Sequence, residues 1–270
     1  MTTPFLDILL AESRARVEVD RAARGTAELR AAVADLDAPA GFARALSGED
    51  VAVIAEVKRA SPSKGDLAPG LDAGAQAAAY RNGGVAAISV LTEPARFKGS
   101  LADLETVAAL GTPALRKDFT VDVHQVLQAR LAGAAAVLLI VAALPDDELA
   151  TLAQAARDCH LDCLVEVHDE EELARALAIE PAVVGVNARD LRTFHVDRDA
   201  FARLRPGIPD DVAAVAESGI RGPDDVRRAA SQGADAVLVG ESLVTADDPR
   251  AAAAALVTAG RAVAVRDRRW

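Results

Sequence analysis

Residues 51–67 read VAVIAEVKRASPSKGDL, an apolar strand-like run that carries two opposite charges and then breaks into a loop of Ser, Pro, Lys and Gly. Successive strand residues point to opposite faces, so Glu56 and Lys58 share one face at the carboxyl end of the run. Parallel α/β proteins hold their ligands at that end of the strands. The stretch therefore predicts either a ligand site or a structural ion pair after a first strand.

The chain beyond residue 51 repeats this plan, because short apolar runs alternate with segments of helical periodicity. Strands are predicted at 51–58, 85–91, 113–118, 135–141, 162–167, 182–187, 212–217 and 235–239. Helices are predicted between them at 72–82, 101–110, 122–132, 146–159, 169–178, 197–204, 223–232 and 248–262. Eight strands, each followed by a helix, predict the α/β class and a (β/α)8 TIM barrel. An open doubly wound sheet is the alternative, although SPSKGD is not its usual GxGxxG turn.

The first 48 residues precede the repeat and have helical periodicity of their own. Residues 4–24 form an amphipathic pattern, 26–36 a second helical piece and 42–46 a short helical turn. We expect a helical extension, 1–48, packed on a barrel domain of residues 49–270, and no chemistry is visible in the extension. A total of 270 residues agrees with one barrel and an extension.

Composition limits the partners and the compartment. A net charge of -11 argues against nucleic acid and anionic membranes as main partners. No apolar run approaches the roughly 18 residues of a transmembrane helix, and the charged N-terminal stretch does not read as a secretion signal. Cys159 and Cys163 lie too close together for a disulfide framework and lack metal spacing, so we expect a reduced, cytoplasmic protein without a metal. The apolar faces of the helices can all pack against the barrel, which leaves none for a subunit interface, so a monomer is expected.

Polar residues stand at the carboxyl ends of most predicted strands, which would meet at one mouth of a barrel. So many charged groups on one rim are costly to bury unless they pair or bind a ligand. Any one of them has a structural explanation, but the set predicts a functional site. The set is Glu56, Lys58, Ser89, Lys117, Glu166, Asn187, Glu217 and Ser218.

Glycines follow the last two predicted strands. Gly219 comes after Glu217 and Ser218, and Gly240 comes just before a short helical start at Glu241. Glycine lets backbone N–H groups approach a ligand closely, and a helix start favours phosphate. Barrel enzymes commonly bind phosphate at these two loops, so a small phosphorylated ligand is predicted. The acidic Glu241 fits such a site only if its side chain faces away.

Taken together, these motifs resemble the indole-3-glycerol-phosphate synthase family from Val51 to about Leu256. The combination of ExKxxSPS with LRKDF is highly specific, and an N-terminal helical extension is a family trait. The matching runs are AEVKRASPSKGDL, SVLTEPARFKGS, LRKDF, AAAVLLIVAAL, LVEVHDEEEL, VGVNARDL, AESGI and VLVGESL. The resemblance implies an enzyme of tryptophan biosynthesis that needs no cofactor. Its substrate would be 1-(2-carboxyphenylamino)-1-deoxyribulose 5-phosphate, whose indole ring is closed with loss of carbon dioxide and water.

The resemblance also implies catalytic roles, matched motif by motif. Lys117 is implied as the general acid and Glu166 as an acid/base carboxylate. Glu56 and Lys58 match the first-strand pair, where the lysine is either a second acid or a substrate anchor. Two lysines near one site would lower each other's pKa, which suits proton donation near neutral pH. The supporting polar positions are Asn187 and Glu217.

Binding roles follow from the same resemblance. The phosphate is expected on backbone groups of Gly219, Gly240 and Glu241, and the anthranilate carboxylate on Ser61 and Arg189. Residues 59–70 are a candidate lid over the site. Further expected contacts, apolar for the ring and polar from the strand ends, are Phe97, Phe119, Leu138, Leu191, Ile220, Ser89 and Ser218.

Two other functions stay open. A barrel like phosphoribosylanthranilate isomerase would share the phosphate loops but is expected to work through a Cys and an Asp. A non-catalytic barrel that binds a phosphorylated ligand would not need Lys58, Lys117 and Glu166 together. The four histidines lack ligand spacing and receive no catalytic or metal role, although His168 shares a strand face with Glu166.

Overall fold

The structure is a computed structural model that describes residues 5–190 and 193–261. Within these residues, eight parallel strands form one closed barrel, because the first strand pairs with both the second and the last. The (β/α)8 prediction is therefore confirmed, and the open-sheet alternative is wrong. The strands are β1 (Ala52–Val57), β2 (Ala87–Leu91), β3 (Ala114–Lys117), β4 (Ala136–Ile140), β5 (Asp162–Val167), β6 (Val183–Asn187), β7 (Ala213–Glu217) and β8 (Ala236–Val239).

The helices follow the predicted order, and most begin and end within two residues of the predicted bounds. They are α1 (Phe5–Ala23), α2 (Thr26–Val33), α3 (Phe42–Leu46), α4 (Ala73–Asn82), α5 (Leu101–Ala108), α6 (Val123–Leu131), α7 (Asp146–Asp158), α8 (Glu170–Leu177), α9 (Ala200–Leu204), α10 (Pro223–Ser231), α11 (Glu241–Val244) and α12 (Pro249–Arg261). Several begin at a side chain that accepts a backbone N–H, as expected of N-caps: Asp72, Ser100, Asp122 and Asp169. None of the helices in the described ranges is both long and apolar enough to cross a membrane.

Three local features differ from the prediction. The helix predicted at 26–36 ends at Val33. The helix predicted at 197–204 begins only at Ala200 and continues into the 3-10 turn Arg205–Gly207. The 59–70 loop contains a small antiparallel hairpin, in which Ala60–Ser61 pairs with Gly65–Asp66. Gly65 has a φ of 70°, the left-handed conformation that glycine adopts at low cost, which explains the tight reversal of the chain.

The strands bury both faces, and β1 shows how. Val53, Ala55 and Val57 point outward into the large core between the barrel and its helices. Ile54 points inward into a second cluster that fills the barrel. Glu56 lies two residues further along the same inward face, as the sequence pattern predicted, so the strand changes from apolar to charged toward its carboxyl end.

Helix α1 lies across the carboxyl ends of β2 and β3. Ser13 Oγ donates to the Phe119 carbonyl at 2.6 Å, in a buried contact. Arg16 Nη2 donates to Asp118 Oδ1, also at 2.6 Å, and the carboxylate is fully buried. These charge-assisted and buried bonds fix the helix beside the mouth of the barrel.

Helices α2 and α3 carry the extension from the mouth to the base. α2 packs on α6, where Thr26 Oγ1 lies 3.1 Å from His124 Nδ1. α3 inserts Phe42 and Leu46 into the inner cluster. The backbone N–H of Ala43 donates to the carboxylate at the start of β5, which places α3 at the amino ends of the strands. The extension thus closes the base of the barrel and borders its mouth.

Candidate active site

The mouth of the barrel holds a cavity of about 640 Å³, a size typical of small-molecule sites. Phe5 and Leu9 of α1 form part of its wall, so the extension contributes to the site, which the sequence did not predict. Ser89 is fully buried beneath it, and Leu191 lies outside the described residues. The other predicted residues line the cavity: Glu56, Lys58, Ser61, Phe97, Lys117, Phe119, Leu138, Glu166, Asn187, Arg189, Glu217, Ser218, Gly219, Ile220, Gly240 and Glu241.

Lys117, the last residue of β3, stands between two carboxylates. Its Nζ is 3.2 Å from Glu166 Oε2 and 3.5 Å from Glu217 Oε2. Burial alone would lower the pKa of this ammonium, but Glu166, Glu217 and Glu56 outweigh it and raise the pKa above its usual value. The expectation that neighbouring lysines depress the pKa of Lys117 is therefore wrong, because carboxylates surround it. The Lys117 ammonium is therefore fully charged at neutral pH.

The two carboxylates beside Lys117 have pKa values that are shifted in opposite directions. Burial raises the pKa of Glu217 to about 8, despite Lys117, because Glu166 and Glu56 add negative charge. The pKa of Glu166 is lowered, because Lys117, His168 and the Asn187 amide outweigh its burial. Like charges in one buried site commonly share a proton in this way. Near neutral pH the arrangement therefore holds an ionised Glu166 and a protonated Glu217.

Glu56 and Lys58 form a second charged pair at the end of β1. Lys58 Nζ lies 2.6 Å from Glu56 Oε1, and both side chains are mostly buried. Ser89 Oγ donates to the other oxygen, Glu56 Oε2, at 3.4 Å. Ser89 thus lies behind the carboxylate, away from the cavity, so the expected substrate contact by Ser89 is not supported. The pair is also a site feature and not only an ion pair, since both residues line the cavity.

Two glycines make room for these carboxylates. A Cβ on Gly240 would lie 2.5 Å from Glu56 Oε1 and 2.9 Å from Lys58 Nζ. A Cβ on Gly185 of β6 would overlap Glu217 Oε1. At either position the carboxylate would have to move to admit a methyl group. Gly240 was expected from its loop position, but Gly185 lies mid-strand, and no sequence signal distinguishes it from an ordinary small residue.

The loop after β7 is shaped for an anion. Ser218 and Gly219 have φ values of 66° and 80°, so two consecutive residues are left-handed. Successive backbone N–H groups in such turns form a concave site for negative charge. Asn187 Oδ1 stabilises the loop by accepting from Ser218 Oγ at 2.7 Å and from the Arg189 backbone N–H at 3.0 Å. Asn187 therefore holds in place both the turn after β7 and the backbone of Arg189.

Basic side chains border the same end of the cavity. Lys64, Arg198 and Arg221 line it and are exposed, and the sequence analysis assigned none of them to the site. Lys64 Nζ lies 3.6 Å from Glu241 Oε1. The Glu241 carboxylate thus has a nearby cation that offsets its charge. Basic loop residues ordinarily read as surface charge, so only their placement in three dimensions identifies them.

An apolar wall faces this charged end. The Phe97 and Phe119 rings lie 6.3 Å apart, and Leu138 and Ile140 from β4 continue the surface. Aromatic side chains at this spacing offer a planar ligand extensive contact. The cavity therefore joins an apolar region, a charged centre and a loop whose backbone is suited to negative charge.

The cysteines lie away from this site. Cys159 directly follows α7, and Cys163 lies near the start of β5, at the opposite end of the strand from Glu166. Both thiols are free, and burial raises the pKa of Cys163 to about 12. In the described part of the chain, no group of three or more His, Cys, Asp or Glu side chains is arranged to hold a metal ion.

Comparison with known proteins agrees with the geometry. The family model described as indole-3-glycerol phosphate synthase matches residues 6–256. A protein of that name from Nocardioides sp. is 54% identical over 248 residues, which are 92% of this chain and 95% of the relative. Another, from Mycolicibacterium gilvum, is 51% identical over 256 residues, 94% of each chain. The structure of 3-hexulose-6-phosphate synthase from Salmonella typhimurium has a TM-score of 0.63 at 14% identity, over 78% of this chain and 99% of that one, and shares the fold alone. The chain belongs to the indole-3-glycerol phosphate synthase family.

Proposed function

We propose that this protein converts 1-(2-carboxyphenylamino)-1-deoxyribulose 5-phosphate to indole-3-glycerol phosphate, with release of carbon dioxide and water. The observation that carries the proposal is the position of Lys117, whose ammonium lies between Glu166 and Glu217 in the cavity. Ring closure needs a proton donor at a ketone oxygen, and dehydration needs an acid and a base nearby. Family membership names the reaction, and this charged centre supplies the groups that the reaction needs.

The substrate has three parts that match three regions of the cavity. Its phosphate fits the left-handed loop at Ser218 and Gly219, with Gly240 alongside. Its aromatic ring fits against Phe97 and Phe119. Two other groups of side chains complete the binding: Ser61 and Arg189 for the carboxylate, and Lys64, Arg198 and Arg221 for the charge of the phosphate.

Ring closure joins the ring carbon that bears the carboxylate to the ketone carbon. Negative charge develops on the ketone oxygen as this bond forms, and Lys117 is proposed to donate the proton that neutralises it. The carboxylates around Lys117 keep it protonated in the free enzyme. Loss of carbon dioxide then restores the aromatic ring, with the electron pair of the breaking bond returning to the ring.

Dehydration removes the hydroxyl from the former ketone carbon and a proton from the adjacent methylene. Glu166, which is ionised in the free enzyme, is proposed as the group that takes a proton. Lys58, paired with Glu56, is the second cation and acts as a second acid or as a substrate anchor. A Lys58 variant would separate these roles, since loss of an acid lowers kcat while loss of an anchor raises KM.

The other functions receive less support. An isomerase that works through a cysteine would need one at the cavity, and Cys159 and Cys163 lie elsewhere. A pure binding protein would gain nothing from three carboxylates packed around one lysine, since burying them costs stability. The protein is further proposed to act as a cytoplasmic monomer on this soluble substrate. Free thiols agree with a reducing compartment, and light scattering would test the oligomeric state.

The test mixes purified protein with the carboxyphenylamino-deoxyribulose phosphate and follows indole fluorescence, beside Lys117→Ala. The wild type should form the indole product, and the variant should be slower by about two orders of magnitude or more. Lys98→Ala is the matched control, because Lys98 is exposed, pairs with Asp66 at the surface and is not among the residues that line the cavity. Its rate should equal that of the wild type. A wild type that binds the substrate without forming indole would refute the synthase assignment.

A further inference from the structure

Two buried atoms beside the charged centre face each other without a hydrogen-bond partner. They are Glu166 Oε1 and His168 Nε2, and both are shielded from solvent. They lie 3.7 Å apart, just beyond hydrogen-bond range. Buried polar atoms rarely stay unpaired, and catalytic hydrogen bonds are often long in a ligand-free site. A small rotation of either side chain would join them.

The other ring nitrogen of His168 already has a hydrogen-bond partner. Nδ1 lies 2.9 Å from Glu172 Oε2, and the same oxygen accepts the His168 backbone N–H at 2.8 Å. Glu172 is in the first turn of α8, where its own N–H donates to Asp169 Oδ1 at 2.8 Å. A carboxylate is favoured at a helix N-terminus. Glu172 therefore fixes the ring and requires a proton on Nδ1.

This arrangement determines what Nε2 must do. In a neutral ring with its proton on Nδ1, the Nε2 lone pair would face the Glu166 carboxylate, and two acceptors would repel each other. A proton on Nε2 converts the contact into a charge-assisted hydrogen bond. The charged groups near the ring are mainly acidic: Glu166 on β5, Glu217 on β7, and Glu172 and Asp169 at the start of α8, with Lys117 on β3 as the cation beyond Glu166. Burial lowers the pKa of His168, but Glu172, Glu166 and Glu217 outweigh it and raise the pKa.

We propose that His168, oriented by Glu172, is a positioning residue that donates from Nε2 to Glu166 Oε1 and keeps this carboxylate ionised. Lys117 holds the other oxygen, Oε2, so the carboxylate lies between two cations in a fixed orientation. The catalytic consequence rests on the proposed function, in which Glu166 accepts a proton. The pairing itself is a property of the protein without substrate and can be tested alone.

The first arm titrates the histidine rings of the full-length protein by NMR. Only four histidines are present, so the His168 signal is assigned by its loss in His168→Gln. Its pKa should lie above 6.5 and should fall by about one unit or more in Glu172→Gln and in Glu166→Gln, since each removes an opposite charge in contact. Glu171→Gln, an exposed neighbour in the same helical turn, should leave it unchanged. A wild-type pKa at or below 6.5, or one that both variants leave unchanged, would overturn the pairing.

The second arm measures kcat against pH. Without the imidazolium the pKa of Glu166 rises, so in His168→Gln the loss of activity on acidification should begin about one pH unit higher. Activity should recover at higher pH. In Glu172→Gln the ring binds its proton more weakly, so the loss of activity on acidification should shift in the same direction by a smaller amount. A uniform decrease at every pH would mean that His168 is only structural and would overturn the proposal. A wild type without turnover would refute the proposed function, while the NMR titration would still decide whether His168 pairs with Glu166.

Discussion

The interior of the barrel has two layers that lie on the same strands but differ in chemistry. The lower layer is apolar and fully buried, whereas the upper layer is charged, and each charged residue lies two positions beyond an apolar one on the same strand. The lower layer includes Ile54, Leu115, Leu164 and Val215. The upper layer includes Glu56, Lys117, Glu166 and Glu217.

The difference shows that stability and chemistry are divided along each strand. Burying the lower layer removes apolar surface from water and stabilises the fold. The upper layer costs stability, because Glu166 and Glu217 are only 1% and 3% exposed and Lys117 is the cation within reach of both. If only stability mattered, apolar residues would be favoured at the positions of the upper layer. Substitutions in the two layers should therefore affect different properties.

The largest expected effect comes from Leu115→Ala, two residues below Lys117 on β3. Leu115 is fully buried in the inner cluster, so truncation leaves a cavity and should lower the free energy of unfolding by about 2–5 kcal/mol. Urea unfolding measures this loss. kcat of the folded protein should change by less than about threefold, since Leu115 does not line the cavity. A loss of kcat as large as that of Lys117→Ala would show that the layers are not separate.

Gly185→Ala tests the boundary between the layers. The new methyl group would overlap the Glu217 carboxyl and lie 3.1 Å from Leu164 Cδ1, so it disturbs one residue of each layer. We expect kcat to fall about tenfold and the free energy of unfolding to fall by about 1–3 kcal/mol, the usual cost of overpacking. Gly25→Ala is the control, because Gly25 is exposed in the N-terminal extension and nothing lies within 4 Å of its new Cβ. Equal changes of kcat and of the free energy of unfolding in the two variants would contradict the packing of Glu217 against Gly185.

Much of the two-layer arrangement could be predicted from the sequence. The period of two along residues 51–58 placed Ile54 and Glu56 on one face, and eight such runs indicated the barrel. Lysine and carboxylates at the strand ends indicated the charged mouth, because apolar residues would suffice for packing alone. These features depend on local pattern and on one topological rule, that parallel strands end at the same rim.

The features that the sequence missed depend on contacts between distant segments. Phe5 reaches the cavity only because α1 lies across the strand ends, and Arg198 only because residues 194–198 border the mouth. His168 looked like a polar residue at a strand end until its distances to Glu166 and Glu172 were known. The pKa of Lys117 was predicted in the wrong direction, since the motif pattern showed two lysines but not how many carboxylates would surround one of them.

The smallest expected effect concerns the protonated carboxyl of the upper layer. The pKa of Glu217 is raised from about 4.5 to about 8, so between these values the folded state holds a proton that the unfolded state has released. Stability from this group is therefore full below about pH 4.5 and is lost as pH rises toward 8. Glu217→Gln imitates the protonated form at every pH. Thermal unfolding at several pH values should show no advantage for the variant near pH 4.5 and an advantage of about 1 kcal/mol or more at pH 8.

The matched control for this pH series is Glu105→Gln, an exposed carboxylate on α5. The difference in stability between Glu105→Gln and the wild type should stay small and flat across the range, because Glu105 is exposed and its substitution removes no buried charge. A flat difference for Glu217→Gln as well would mean that the proton shared near Lys117 does not reside on Glu217. Glu166→Gln would then show the rising advantage instead. The pH series therefore identifies which carboxylate of the upper layer is neutral, and that in turn decides whether Glu166 is the ionised group beside the substrate.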